Sequence, residues 1–174
     1  MFNFFKRKNE LPYEEFGYMY ADSLSPSVIE PLAQSTSEWI GRPVDSERMG
    51  RDLSILSLAI FQLSLVDLKE DASGRAIGGF MKRLTKQYEN FACDPNTSTI
   101  GLEYVEAAGM DFRNKTKAES FPTLVPLVVM KITGLTNNDA YWPAATEVIY
   151  SFIEKVLQTS RAGLAGTKAH ARLV

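Results

Sequence analysis

From Leu53 to Leu68 the chain carries a single charge, on Asp67, and sets apolar side chains on nearly every azimuth of a helical projection. A helix that is apolar all round is stable only where other elements surround it. Ser54, Ser57, Gln62 and Ser64 interrupt the stretch, which falls short of the roughly 20 apolar residues a membrane span requires. It therefore predicts a buried helix near 46–70, at the centre of the fold, with Asp45 as its N-cap. Arg48 follows three residues later, where a full capping box has Glu or Gln.

Other helices must be available to cover this one, and the apolar spacing supplies them. Tyr13 to Ser23 predicts a short helix, weakened at Gly17 by about 1 kcal/mol relative to alanine. Ser25-Pro26 and Glu30-Pro31 both look like helix starts, with the helix running to about Ile40 before Gly41 and Pro43 end it. Asp71-Ala72-Ser73-Gly74 reads as a turn; Ile77, Phe80, Met81, Leu84, Tyr88 and Phe91 then recur at helical steps. Within that helix Gly78 and Gly79 mark a place for close packing.

Asp94-Pro95-Asn96 closes the element, and Thr97 to Thr99 cap another whose apolar positions include Leu102, Val105 and Met110. Residues 123–135 are ambiguous between helix and strand. Pro122 and Pro126 would remove two ladder donors from a central strand, which favours a helix kinked near Pro126. Val148, Ile149, Phe152, Ile153, Val156 and Leu157 give an amphipathic helix from Pro143 to about Ser160. These elements predict an all-α, single-domain bundle of about six or seven helices over 11–160. A flexible basic and aromatic leader at 1–10 and a mobile tail at 161–174 flank it.

At 174 residues, with 45% hydrophobic and 23% charged side chains, the chain suits one ordinary globular domain. Its only cysteine, Cys93, can form no internal disulfide. Phe2, Phe4 and Phe5 precede Lys6, Arg7 and Lys8, reversing the order of a secretory signal. Three phenylalanines are also too few for stable membrane anchoring. A cytoplasmic protein without a transmembrane segment is expected. Residues 1–8 carry +3 and residues 9–50 a net −6, so no broad basic surface suggests nucleic acid.

The chemistry-bearing residues are sparse. His170 is the one histidine and stands in the tail, so a triad is not expected. Cys93 follows a helix C-terminus, whose dipole raises a thiol pKa. Glu103, Glu106 and Asp111 have no histidine partners for a di-metal bundle, and Glu147 and Glu154 fare no better. Gly74 to Gly79 matches neither a dinucleotide fingerprint nor a phosphate loop. Arg75, Lys82, Arg83 and Lys86 form the one internal basic cluster. No catalytic residue, cofactor or metal ligand is expected.

Aromatic residues are better placed to act. Tyr13, Phe16, Tyr18 and Tyr20 lie among Glu14, Glu15 and Asp22, and Tyr141 and Trp142 form a second group. Such rings make binding anchors when partly exposed, because they bury large area and tolerate water on one side. The expected function is a non-enzymatic protein–protein interaction module, an adaptor, regulator or toxin-neutralising partner, with those six residues binding another protein. The alternative is a helical carrier of an apolar small molecule or lipid, held between Leu53–Leu68 and Val125–Ile132. An enzyme using carboxylates and lysines is a distant third.

Overall fold

The expected all-α bundle is what the chain forms. The computed structural model describes residues 9–24, 28–29, 31–32, 45–88, 91, 95–113 and 121–174. Among them are β1 (Asn9–Leu11), six helices and β2 (Ala171–Leu173). The helices are α1 (Tyr13–Leu24), α2 (Ser46–Ser64), α3 (Glu70–Gln87), α4 (Pro95–Arg113), α5 (Leu124–Thr133) and α6 (Trp142–His170). The helix expected to end near Ile40, residues 1–8 of the leader expected at 1–10, and Cys93 lie largely or wholly outside the described residues.

Helix α2 is the central element and touches α3, α4, α5 and α6. Asp45 caps it as expected, accepting from the N–H groups of Glu47 and Arg48. Leu53, Ile55, Leu56, Ala59, Ile60 and Phe61 are all buried. Ser54 and Ser57 are buried too, and their hydroxyls donate to the carbonyls of Gly50 and Leu53 one turn earlier. Polar atoms inside a core need such partners, and the helix backbone provides them.

The helix ends at Ser64 rather than near 70, and Val66 is 78% exposed. The turn falls at 65–69, and Asp71 to Gly74 belong to α3 instead. Glu70 and Asp71 stand in the first turn of α3, where carboxylates complement the positive end of the helix dipole. Those acids favour a helix start over the turn suggested by the Asp-Ala-Ser-Gly run.

Helices α1 and α3 approach unusually closely. A methyl group added at Gly17 would overlap the carbonyl of Ala76, and one added at Gly79 would overlap the carbonyl of Glu14. Gly17 thus costs helix propensity but permits backbone contact. Beneath this contact Phe16, Tyr20, Phe61 and Phe80 pack ring on ring, with Tyr20 and Phe61 stacked at 4.8 Å. The Tyr20 hydroxyl donates to the Val156 carbonyl at 3.0 Å and shares a hydrogen bond with Ser160, fastening α1 to α6.

Helix α4 turns a different face inward from the one its apolar residues suggest. Thr97, Tyr104, Ala107, Ala108 and Asp111 are buried, whereas Leu102 is 71% and Met110 47% exposed. The small alanines allow close approach, and Asp111 has structural work to do. Its carboxylate accepts from the N–H groups of Thr123 and Leu124, at 2.9 Å for the latter, and so caps α5 from another helix. Residues 124–133 are therefore helix. Pro126 sits in the first turn, where no intrahelical bond is lost and no kink is required. Gly134 closes α5 in the left-handed conformation, at φ 69°.

Helix α6 continues ten residues past Ser160, to His170. The chain then pairs β2 with β1 in parallel, matching Asn9 with Ala171 and Leu11 with Leu173. Tyr13 donates its N–H to the Val174 carbonyl, and Val174 donates to that of Leu11. No helix among the described residues is long and apolar enough to cross a membrane.

Candidate functional site

The six aromatic residues expected to bind a partner do not form one surface. Phe16 and Tyr20 are 4% and 5% exposed and belong to the core, so they offer a partner nothing to hold. Tyr13 is half-buried beneath the Arg75 guanidinium. Tyr18 is half-buried too, with the Lys86 ammonium 5.0 Å from its ring centre and donating to its hydroxyl. Tyr141 is exposed, and Trp142 packs partly on the core. Tyr20 meets α6 at Val156, fourteen residues from Trp142, which is about 21 Å along a helix.

Two of the three acids around these rings, Glu14 and Asp22, are engaged within the chain. Lys82 pairs with Glu14 at 2.9 Å, and Arg83 with Asp22 at 2.6 Å. The acidic face of α1 and the basic cluster of α3 thus meet each other. Glu103 pairs with Lys131 at 2.7 Å, and Asp111 is committed to capping. Among the described residues no group of three or more His, Cys, Asp or Glu is placed to hold a metal ion. Leu53, Leu56, Ile60, Val125, Val128, Val129 and Ile132 all pack into the core cluster.

A different constellation gathers between α2, α4 and α5, around a pocket of about 460 Å³. Helix α2 contributes Arg48, Arg51, Asp52 and Ile55 from its first turns. The beginning of α4 contributes Asn96, Thr97 and Thr99, followed by Ile100 and Tyr104, and α5 adds Lys131. Arg51 donates to the Thr97 hydroxyl at 2.9 Å, and its guanidinium lies 6.0 Å from the Phe91 ring centre. Arg48 approaches Asp52 at 3.9 Å, one helical turn along. Burial holds the Asp52 carboxyl above its ordinary pKa, against the pull of Arg48 and Arg51.

Tyr104 lines this pocket and is itself 0% exposed. Its hydroxyl has no hydrogen-bond partner among the described residues. A buried hydroxyl left unpaired costs about 1–3 kcal/mol. Burial, and then the nearby Asp52 and Glu103 carboxylates, raise its pKa well above that of an ordinary phenol. The group therefore keeps its proton at neutral pH.

The pocket thus joins the three cations Arg48, Arg51 and Lys131 with the Asp52 carboxylate beside the partially positive start of a helix. That combination suits a negatively charged group of a small molecule. Its parts were visible in the sequence: Arg48 in place of a capping Glu, and the threonines at the head of α4. Nothing in the sequence brought Lys131 to them, because the association depends on how α5 packs.

Compared with known proteins, the chain matches no protein-family model, no curated protein and no solved structure.

Proposed function

We propose that this chain is a non-enzymatic binding protein for a small molecule bearing a negatively charged group, held in the pocket between α2, α4 and α5. The observation that carries this reading is the gathering of Arg48, Arg51 and Lys131 at a pocket whose wall includes Tyr104, whose buried hydroxyl has no partner among the described residues. An unpaired buried donor is costly in a native fold, and a ligand oxygen accepting from it would offset that cost. The carrier reading thereby moves from the packed Val125–Ile132 region to a polar site. The interaction reading loses support, since two of its six anchors are in the core and its charged faces neutralise each other.

The test is a titration with methanesulfonate, a monoanion at any ordinary pH, followed by amide and tyrosine-ring NMR shifts. Saturable shifts at Thr97, Ile100, Tyr104 and Lys131 are expected. Tyr104→Phe should weaken binding several-fold while raising stability by about 1 kcal/mol in urea unfolding, because it deletes an unsatisfied group. Shifts that fail to saturate, or that Tyr104→Phe and Lys131→Gln leave unchanged, would overturn the assignment.

A further inference from the structure

We propose that the ligand is a small amino acid, whose acid group meets Arg48 and whose ammonium meets Asp52; this rests on the anion-binding reading above. Arg48 and Asp52 stand one turn apart on α2, and both line the pocket. Arg48 Nε lies 3.9 Å from an Asp52 carboxylate oxygen, too far for a hydrogen bond. Arg48 is the only ion-pair partner of Asp52 among the described residues, and none of them donates a hydrogen bond to its carboxylate. The Asp52 side chain is only 14% exposed, and a carboxylate taken from water without donors is costly. The two residues thus present a positive and a negative group a few ångströms apart in one wall. An α- or β-amino acid carries its own two charges at a similar spacing, so one molecule can match both.

The neighbouring groups point the same way. Asp52 is near enough to Tyr104 for its charge to help raise the pKa of the phenol. An anion accepting from the Tyr104 hydroxyl therefore stands in the repulsive field of Asp52, which an ammonium held against that carboxylate would cancel. Burial already keeps the Asp52 carboxyl above its ordinary pKa despite both arginines, so its charged form gains from a further cation. The other cations of the pocket are engaged: Arg51 donates to Thr97 and has further partners, and Lys131 pairs with Glu103 at 2.7 Å. Charge recognition thus falls on Arg48 and Asp52. A plain anion is attracted by the first and repelled by the second, whereas an amino acid satisfies both.

The experiment compares glycine with acetate, and taurine with ethanesulfonate, by calorimetry on the full chain; each pair differs by one ammonium. At least one amino compound should bind about tenfold or more tighter than its partner, the gain of a charged hydrogen bond to a carboxylate largely removed from water. Ethylammonium, which lacks the acid group, should bind about tenfold or more weakly than taurine. Asp52→Asn should abolish the preference by weakening the amino compounds while acetate and ethanesulfonate tighten. Misfolding would weaken both members of a pair, so the opposite signs keep the two explanations apart. Arg48→Gln, at a side chain 73% exposed, should weaken all four acids several-fold. If neither amino compound exceeds its partner while acetate and ethanesulfonate bind, the amino-acid proposal fails and the anion pocket stands. If the preference survives Asp52→Asn, or if ethylammonium equals taurine, the placement of the ammonium or of the acid group fails. If no compound binds, the underlying reading fails with it.

Discussion

Asp52 is the residue on which charge and burial conflict most directly. Its side chain is 14% exposed, and the desolvation that raises its pKa outweighs the attraction of Arg48 and Arg51. A carboxyl whose folded pKa is raised is destabilising in its charged form. That penalty is full above the raised value, and it is relieved as pH falls through it toward the ordinary carboxylate range. Asp52→Asn is therefore expected to be more stable than the native chain at pH 7, with the difference closing near pH 4; urea midpoints at the two pH values check it. The same variant should bind methanesulfonate several-fold more tightly at neutral pH, since it removes a negative charge from the wall. The sequence shows Asp52 only as a polar position on a helix. Its burial, and its nearness to Tyr104 and Lys131, come from the packing of α4 and α5.

At the scale of the element, the α1–α3 contact shows why helix propensity alone misjudges a sequence. Gly17 looks like a weakness in α1, yet the Ala76 carbonyl occupies the space a side chain would need. Gly17→Ala should gain about 1 kcal/mol of propensity and lose more by forcing the two backbones apart, for a net destabilisation of about 1–3 kcal/mol. Gly78→Ala is the control, because no atom lies within 4 Å of the added carbon, and it should stabilise by about 0.5–1 kcal/mol. Denaturant unfolding of both variants separates the effects. Helix α4 gives the complementary lesson. Its apolar letters predict Leu102, Val105 and Met110 inside, but only Val105 packs on the core, and Tyr104, Ala107, Ala108 and Asp111 are the side chains that neighbours require. A helix with apolar residues on two faces does not declare which face is buried.

For the molecule as a whole, the pairing of β1 with β2 brings residues 9–11 beside residues 171–173. The bond from the Tyr13 N–H to the Val174 carbonyl also satisfies a donor at the start of α1 that its own helix leaves unpaired. Deleting residues 171–174 should lower stability by about 1–2 kcal/mol, through the loss of a few partly exposed hydrogen bonds. Amide exchange should quicken sharply at Leu11 and Tyr13, and in the core of α2 only in proportion to the change in global stability. Equal acceleration in both places would show that the pairing is integral to one cooperative unit rather than a local clasp.

The sequence by itself determined the helical class, the central place of α2, its Asp45 cap and most of the buried positions in α5 and α6. These follow from periodicity and local capping, which depend on residues within a few positions of one another. Only the tertiary structure decided which tyrosines are buried, that Asp111 caps a different helix, that acidic α1 meets basic α3, and that Arg48, Arg51, Tyr104 and Lys131 share a pocket. Each of those outcomes joins residues far apart in the chain. Burial, charge pairing and cavity shape arise from the positions of several helices at once, and no single helix encodes them.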